Sequence, residues 1–467
     1  MTVPDLTARP IRIAIIGSGP AAFYAADYLL KPRARVAQID LFDKLPTPFG
    51  LVRAGVAPDH QKIKSVTKIY DAVAANPNFR FFGNVEYGKH LSLADLKNYY
   101  HQILFATGAQ TDRKMDIPGE ELRGSYTATE FVAWYNGHPD YREREFDLAQ
   151  ECAAIVGVGN VAVDVARILS RTPDELAKTD IADYALDALR ASQLKKIYLL
   201  GRRGPAQAAF TNPEIKELGE LADADAIIAP QEAALDELSR AALDREKDPL
   251  TLKKTQLIQE IAARAPAGKS RQLYIRFLVS PVELIGDSNG HVIKMRVVKN
   301  KLAQSESGSL NAHATDQFEE LPVNLVFRSV GYRGIALPEI PFNDRFGTIL
   351  NQMGRVLDST THSPVTGLFC SGWIKRGPSG VIGTNKPDSV ETANAMLEDI
   401  AAEKMFAPAH ARAEQAAEFI RARQPNFFSY ADWKKLDALE VARGAAQGRP
   451  RVKFTSVPEM IAALGRA

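Results

Sequence analysis

Two stretches of this 467-residue chain put small residues where a phosphate could rest against the backbone. Ile13–Ala22 reads IAIIGSGPAA, and about 140 residues later Ala153–Ala162 reads AAIVGVGNVA. Each joins a short apolar run to Gly-x-Gly-x-x-Ala and then to a stretch with few helix breakers. In such a turn the first Gly permits the tight bend and the second lets a pyrophosphate approach the backbone. The small third residue lets helix pack on strand. The phosphates then meet unpaired N–H groups at a helix start, where the macrodipole favours negative charge. A single copy would be weak, because glycine-rich turns also occur without ligands. Two copies imply two nucleotides on one chain, as an oxidoreductase using both a flavin and a nicotinamide requires.

The strands downstream make the two turns unequal. The strand after the first, Arg35–Phe42, ends at Asp43, and a carboxylate at that tip suits a ribose hydroxyl. Gly17, Gly19 and Asp43, with Pro20 and Ala21 at the helix start, form a candidate FAD site. The strand after the second turn, Lys195–Leu200, ends in Gly201-Arg202-Arg203-Gly204, where an NAD-specific protein would present an acid. Two guanidiniums there suit a 2′-phosphate through bidentate, charge-assisted bonds. Gly157, Gly159, Asn160 and Val161 would then hold the pyrophosphate of NADP. The plainer alternatives are an empty strand turn for the first and a solvated basic turn for the second.

Composition removes other classes. Hydrophobic content of 45% and charged content of 24% belong to a globular protein, and a net charge of +2 points to neither nucleic acid nor a membrane surface. The two cysteines, Cys152 and Cys370, lie far apart in apolar segments, which leaves no Cys-x-x-Cys for a dithiol relay or a cysteine-ligated cluster. No metal site is expected. No apolar run reaches membrane-spanning length, and MTVPDLTARP lacks the apolar core of a signal peptide, so the expected location is cytoplasmic.

The elements that must position these residues read as α/β. Strand Ile11–Ile16, turn Gly17–Pro20 and helix Ala21–Leu30 open the chain. The Pro- and Gly-rich stretch 45–60 reads as a shaped loop. Next come a helix over Gln61–Ala75, a strand near Arg80–Val85 and a buried strand in Ile103–Ala109. After the second turn come helix Val161–Ser170, a polar helix-compatible insert over Thr172–Gln193, and a charged helical stretch Gln231–Ala265 broken at Pro249. Strands are expected over Tyr274–Ile285 and Val292–Val298, with Lys301–Gln317 as a hairpin or excursion. FRSVGYRG and LFCSGW are strand-then-glycine elements, and beyond Pro387 lies a helix with the stripe Val390, Ala393, Leu397 and Ile400. The simplest architecture inserts the second nucleotide unit into the first, with a polar helical tail beyond Phe406 packed on the outside.

These segments together resemble the adrenodoxin-reductase-type ferredoxin–NADP reductases. The resemblance rests on IAIIGSGPAAFYAA, LPTPFGLVRAGVAPDHQKIK, FATGA with IPGE, TEFVAWYNGHPD, VGVGNVAVDVARIL, GRRGPAQAAFTNPEIKELG, FRSVGYRG and GWIKRGPSGVIGTNKPDS, in that order over most of the chain. It implies two Rossmann-like nucleotide-binding domains, the NADP domain inserted into a discontinuous FAD domain. Residues 1–109 and 331–467, including the helical tail, would bind FAD, and 110–330 would bind NADP. The chain departs from the family at Asp43, where Glu is usual, and in the Arg-rich segment that resembles the family's ferredoxin-docking region.

The resemblance also implies roles. Leu51 would pack along the flavin, although one apolar side chain could equally be core. Trp373 and the backbone of Gly380, Val381 and Ile382 would approach FAD and the nicotinamide. His60 and Glu214 would lie near nicotinamide and flavin and position the former or assist proton movement; alone, each reads as a structural histidine and a helix-start carboxylate. Arg240, Arg245, Lys253 and Lys254 could face an acidic partner, but Asp236, Glu237 and Glu246 interleave them as on an ordinary solvated face. The implied activity passes hydride from NADPH to flavin N5 and then single electrons to an iron–sulfur ferredoxin, with the protein acting as a monomer. A flavin-dependent monooxygenase and a non-catalytic nucleotide-binding redox sensor remain open alternatives.

Overall fold

The computed structural model describes residues 10–33 and 35–466; most of MTVPDLTARP, in which no signal peptide is expected, lies outside that range. The chain falls into two compact units. One takes the residues up to Val56, His60–Thr111 and those from Tyr332 on, and the other takes Ala57–Asp59 and Asp112–Gly331. Residues 57–59, expected with the first unit, therefore group with the second.

The first unit begins with β1 (Ile11–Ile16), α1 (Pro20–Leu29), β2 (Ala37–Phe42), α2 (Leu51–Ala54), α3 (Gln61–Lys64), α4 (Thr67–Ala74), β3 (Phe79–Phe82), α5 (Leu93–Tyr99) and β4 (Gln102–Phe105). All six residues of β1 are buried, as expected of an Ile-rich strand covered on both faces. The stretch 45–60 is not wholly irregular, since it contains α2. The helix expected over Gln61–Ala75 is two helices, joined where Ser65 and Val66 make shorter-range bonds to the carbonyls of Lys62 and Ile63.

The chain leaves through β5 (Thr111–Asp112). The second unit holds β6 (Ser125–Thr127), α6 (Ala128–Tyr135), β7 (Cys152–Val156), α7 (Asn160–Ser170), α8 (Pro173–Leu176), α9 (Asp183–Arg190), β8 (Lys196–Gly201), α10 (Asn212–Leu218) and β9 (Ala224–Ile227). It continues with α11 (Pro230–Ala233), α12 (Glu237–Glu246), α13 (Pro249–Ala262), β10 (Arg271–Phe277), β11 (Val279–Gly286), β12 (Val292–Gln304), β13 (Leu310–Leu321) and β14 (Leu325–Arg328). Its parallel sheet runs β6-β14-β7-β8-β10-β9, and β11-β12-β13 form a separate antiparallel sheet. The single strand expected over Tyr274–Ile285 is thus two strands in two sheets, divided at Leu278, whose φ is 56°. Pro249 starts α13 rather than merely interrupting a helix: Asp248 caps it by accepting from the N–H groups of Leu250 and Thr251.

The chain returns through β15 (Tyr332–Arg333), which pairs with β5. Then come β16 (Phe342–Asn343), β17 (Thr348–Ile349), β18 (Asn351–Gln352), β19 (Arg355–Leu357), β20 (Pro364–Cys370), α14 (Trp373–Arg376), α15 (Asn385–Ala401), α16 (Ala413–Arg423), α17 (Tyr430–Ala445) and α18 (Val457–Ala463). The first unit's sheet runs β18-β19-β20-β4-β1-β2-β3 and is parallel from β20 to β3. Buried Ala21, Ala22, Ala25 and Ala26 give α1 a flat surface, and α15 packs closely on it. The order reverses on either side of β1, so a crevice opens at its carboxyl end.

The tail does not sit on the outside. Phe428, Trp433, Leu436, Phe454 and Met460 are buried in the same apolar cluster as Ile13, Ile15 and Phe23. No helix among the described residues is long and apolar enough to cross a membrane.

Candidate functional site

At the end of β1, Gly17 adopts φ +100° and its N–H donates to the Phe42 carbonyl at 2.8 Å. A Cβ at Gly17 would lie 2.5 Å from the Ala106 carbonyl oxygen, so this glycine is required by the fold itself. Gly19 differs: nothing lies within 4 Å of where its Cβ would be. It caps α1 without any side-chain bond, Pro20 brings no N–H, and the first internal helix bond comes from Phe23 to the Gly19 carbonyl. An open cradle before an uncapped helix start fits a phosphate.

Asp43 closes this turn from the side. Its Oδ2 accepts from the Ser18 N–H at 2.9 Å and the Ser18 hydroxyl at 2.5 Å, and its Oδ1 accepts from the Leu45 N–H at 2.8 Å. Burial pushes its carboxyl above the usual range although these bonds, and Lys44, oppose the shift. The residue expected to meet a ribose thus also ties β2 to the glycine turn. Above it, the Phe49 N–H donates to the Ser18 carbonyl at 3.0 Å, and a Cβ on Gly50 would lie 3.1 Å from the Gly19 Cα. Leu51, exposed, starts α2 directly on this contact.

The same unit carries Trp373. Its indole N–H donates to the Ser379 carbonyl at 3.1 Å and its ring centre lies 5.5 Å from that of Tyr332. Gly380 has φ +77°, and Gly380 and Val381 are exposed while Ile382 is half-buried. Sequence reasoning missed what holds this segment. Asp388 accepts from the Gly372 N–H at 2.6 Å and pairs with buried Lys375 at 3.1 Å, and Lys375 also reaches Glu391 at 2.5 Å. The signal was available as Lys375 and Asp388 in one quoted motif, but their pairing needs the fold.

In the second unit Gly157 repeats Gly17, with φ +129°, an N–H to Leu200 at 2.9 Å and a would-be Cβ 2.2 Å from the Ser329 carbonyl oxygen. Gly159 repeats Gly19, with nothing within 4 Å and no side-chain cap on α7. Asn160 accepts from the Thr211 N–H at 3.1 Å, and half-buried Val161 packs against the unit's main apolar cluster. Arg202 is exposed and Arg203 half-buried, and neither guanidinium has an acidic partner among the described residues. Burial and the neighbouring Arg202 push Arg203 below its usual range. The turn beneath them is fixed through its carbonyls: that of Arg202 accepts from the Asn300 side chain at 2.9 Å, and that of Arg203 from the Leu278 N–H at 3.1 Å.

Glu214 lies in the first turn of α10, 8% exposed, and its Oε2 makes no hydrogen bond. His60, half-buried, precedes α3 in the first unit. Of the basic residues considered for docking, Arg240 bonds the Leu235 carbonyl, Arg245 pairs with Glu246 at 3.1 Å and Lys253 is exposed. Lys254 does not face outward: it donates to the Ala208 carbonyl and lies beside the Arg203 charge. A second missed group is Arg167 on α7, fully buried against Asp59 at 2.7 Å and Asp164 at 2.7 Å. Burial opposes its charge, but Asp164, Asp59 and Glu217 raise it above the usual arginine range. This pairing explains why 57–59 belong to the second unit.

The family model for pyridine nucleotide-disulphide oxidoreductases matches residues 11–191. The chain is 43% identical to NADPH-ferredoxin reductase FprA of Mycobacterium tuberculosis, over 97% of this chain and 99% of that protein. It is 40% identical to the mitochondrial NADPH:adrenodoxin oxidoreductase of Bos taurus, over 97% of this chain and 92% of that one. The solved structure of M. tuberculosis FprA in complex with NADPH superimposes with a TM-score of 0.92, covering 98% of this chain and 100% of that chain. With its two parallel-sheet units and paired glycine turns, the chain belongs to the adrenodoxin-reductase-type family of ferredoxin–NADP reductases.

Proposed function

We propose that this chain passes electrons between NADPH and a ferredoxin, with FAD held by the first unit and NADP(H) by the second. The observation that carries this reading is the near-full-length likeness to NADPH-ferredoxin reductases, joined to two open glycine cradles whose neighbours differ in charge. FAD, when bound, supplies the conversion between a two-electron hydride and single electrons. The chain's own residues bind and orient. Gly17 shapes the first turn, while Gly19, Pro20 and Ala21 offer an uncapped helix start to a pyrophosphate, and Asp43 offers its remaining lone pairs to a ribose. Leu51 lies beside this cradle, and Trp373 with Gly380, Val381 and Ile382 supplies an aromatic face and exposed backbone.

In the second unit Gly157, Gly159, Asn160 and Val161 would take the pyrophosphate, and Arg202 and Arg203, free of acids, would take the 2′-phosphate. His60 and Glu214 are assigned to the nicotinamide end, where Glu214, with one carboxylate oxygen unbonded, can hold a carboxamide or a proton. The acceptor is a ferredoxin, the chain acts as a monomer, and neither nucleic acid nor a membrane is a partner. A cytoplasmic setting suits a chain whose cysteines are both free.

The test is a cytochrome c reduction assay with NADPH, run with and without added ferredoxin. The yellow holoprotein should accelerate strongly when ferredoxin is present. An unchanged rate across several ferredoxins would refute the reading, and oxygen-dependent product formation would favour a monooxygenase instead.

A further inference from the structure

The segment that lies on the first glycine turn is held in an unfavourable backbone from below. Phe49 has φ +86°, a region that residues with a Cβ avoid, and Gly50 comes next at +48°. Such a conformation persists only where its surroundings over-determine it. Here the surroundings are Phe23 of α1, with ring centroids 5.6 Å away, Tyr70 of α4 at 5.8 Å, and the C-terminal segment. The Phe49 ring packs edge-on against Trp433 of α17, with centroids 5.8 Å apart. Four residues on, Arg53 stacks over the same indole at 5.0 Å and forks onto Glu440, with Nη1 to Oε2 at 2.8 Å and Nη2 to Oε1.

Glu440 is 0% exposed, and every other bond it makes ties the tail to itself. Its Oε1 accepts from the Phe454 N–H at 2.9 Å and its Oε2 from Arg451 at 3.1 Å. The chain can double back this closely because of Gly444, where a Cβ would lie 2.4 Å from the Arg451 Cα. A buried carboxylate with a bidentate arginine is strongly destabilised by the loss of either partner. One side of that pair is Arg53, four residues beyond the Phe49 turn that touches Gly19, and the other is the tail.

We propose that α17 is part of the FAD site: Glu440 and Trp433 are positioning residues that brace Phe49–Leu51 over the phosphate turn, so that FAD binding and the seating of the C-terminal segment stabilise each other. This rests on the assignment of FAD to the first unit. The reciprocity is a matter of linkage, because whatever braces the loop for FAD must be braced by FAD in return.

The test uses the full chain stripped of FAD and titrated with it, monitored by flavin fluorescence, in wild type, Glu440→Gln and Arg53→Lys. Each substitution keeps size while removing the fork. Both variants should bind FAD at least fivefold more weakly while their affinity for NADP+, titrated separately, stays within twofold. Limited proteolysis of the wild type should cut between α16 and α18 faster without FAD than with it. A change in FAD affinity below fivefold in whichever variants fold, or tail cleavage indifferent to FAD, overturns the proposal. If the wild type binds no FAD at all, the assignment of FAD to this unit fails first, and the two failures are thereby told apart.

Discussion

Gly19 and Gly17 stand two residues apart, yet alanine at each should act on opposite quantities. Gly19 has φ −78° and ψ −176°, ordinary for any residue, and its Cβ would meet nothing within 4 Å. Gly19→Ala should therefore leave the stripped protein as stable as wild type, or more stable by about 0.4–1 kcal/mol, because alanine restricts the unfolded chain. The methyl would, however, occupy the space a pyrophosphate needs. Overpacking of this kind costs about 1–3 kcal/mol, and at about 1.4 kcal/mol per decade that is roughly a 5- to 150-fold loss of FAD affinity. Gly17→Ala should do the reverse to stability. Its φ of +100° costs about 1–3 kcal/mol with a Cβ, and the 2.5 Å approach to the Ala106 carbonyl adds a similar amount. The assay is thermal unfolding of the stripped protein alongside a flavin titration. A Gly19→Ala protein that unfolds early but binds FAD normally would refute the cradle, since it would make Gly19 a packing residue like its neighbour.

Other expectations rest on the charged and titrating groups. Arg202→Ala and Arg203→Ala should each raise the Michaelis constant for NADPH by about 10- to 150-fold, the worth of a charge-assisted bond of about 1.5–3 kcal/mol, and spare NADH; equal effects on both nucleotides would contradict the 2′-phosphate assignment. Glu214→Gln should lower turnover while leaving NADP+ affinity within about threefold, read by steady-state kinetics and titration; a loss of affinity alone would make Glu214 a binding residue only. His101 is pushed down to about 4 by burial, aided by Arg35, while its Nδ1 accepts the Arg12 N–H at 3.0 Å. A folded value below the unfolded one contributes stability above about pH 6.5 that is lost as pH falls toward 4. His101→Asn keeps an acceptor without titrating, so its melting temperature should fall less steeply over that window; parallel curves would remove His101 from the account.

Local rules carry much of the fold and little of its ties. The turns at Gly17 and Gly157 announce themselves because a strand, a bend and a helix start all lie within ten residues. The carboxyl-end switch at β1 comes with them. The division of β10 from β11 does not, because Phe277, Leu278 and Val279 are uniformly apolar and nothing marks Leu278 for a positive φ. The tail misleads for a related reason. Trp433, Leu436 and Glu440 form the buried stripe of α17, but a glutamate in that stripe makes the helix read as polar until Arg53, 387 residues away in sequence, is seen to face it. Asp59 gives the same lesson, since its partner Arg167 lies beyond the reach of any periodicity. The cradles were legible; the braces were not.

The second unit's two ends lie side by side, because β5 pairs with β15 and the Arg113 N–H meets the Gly331 carbonyl at 2.9 Å. Such adjacency makes an inserted unit look portable, a cassette that recombination could lift out and replace with a short linker from Gln110 to Arg333, which already bond to each other at 3.1 Å. Asp59 denies that portability. A cassette cut at β5 and β15 leaves behind Asp59, one of the carboxylates that hold the fully buried Arg167. Arg167 would keep Asp164 and Glu217, but removing one partner of a buried pair is costly. The boundary of the inserted unit therefore runs through residues 57–59 as well as β5 and β15, and an insert that carried Asp59 along would keep Arg167 with all its partners.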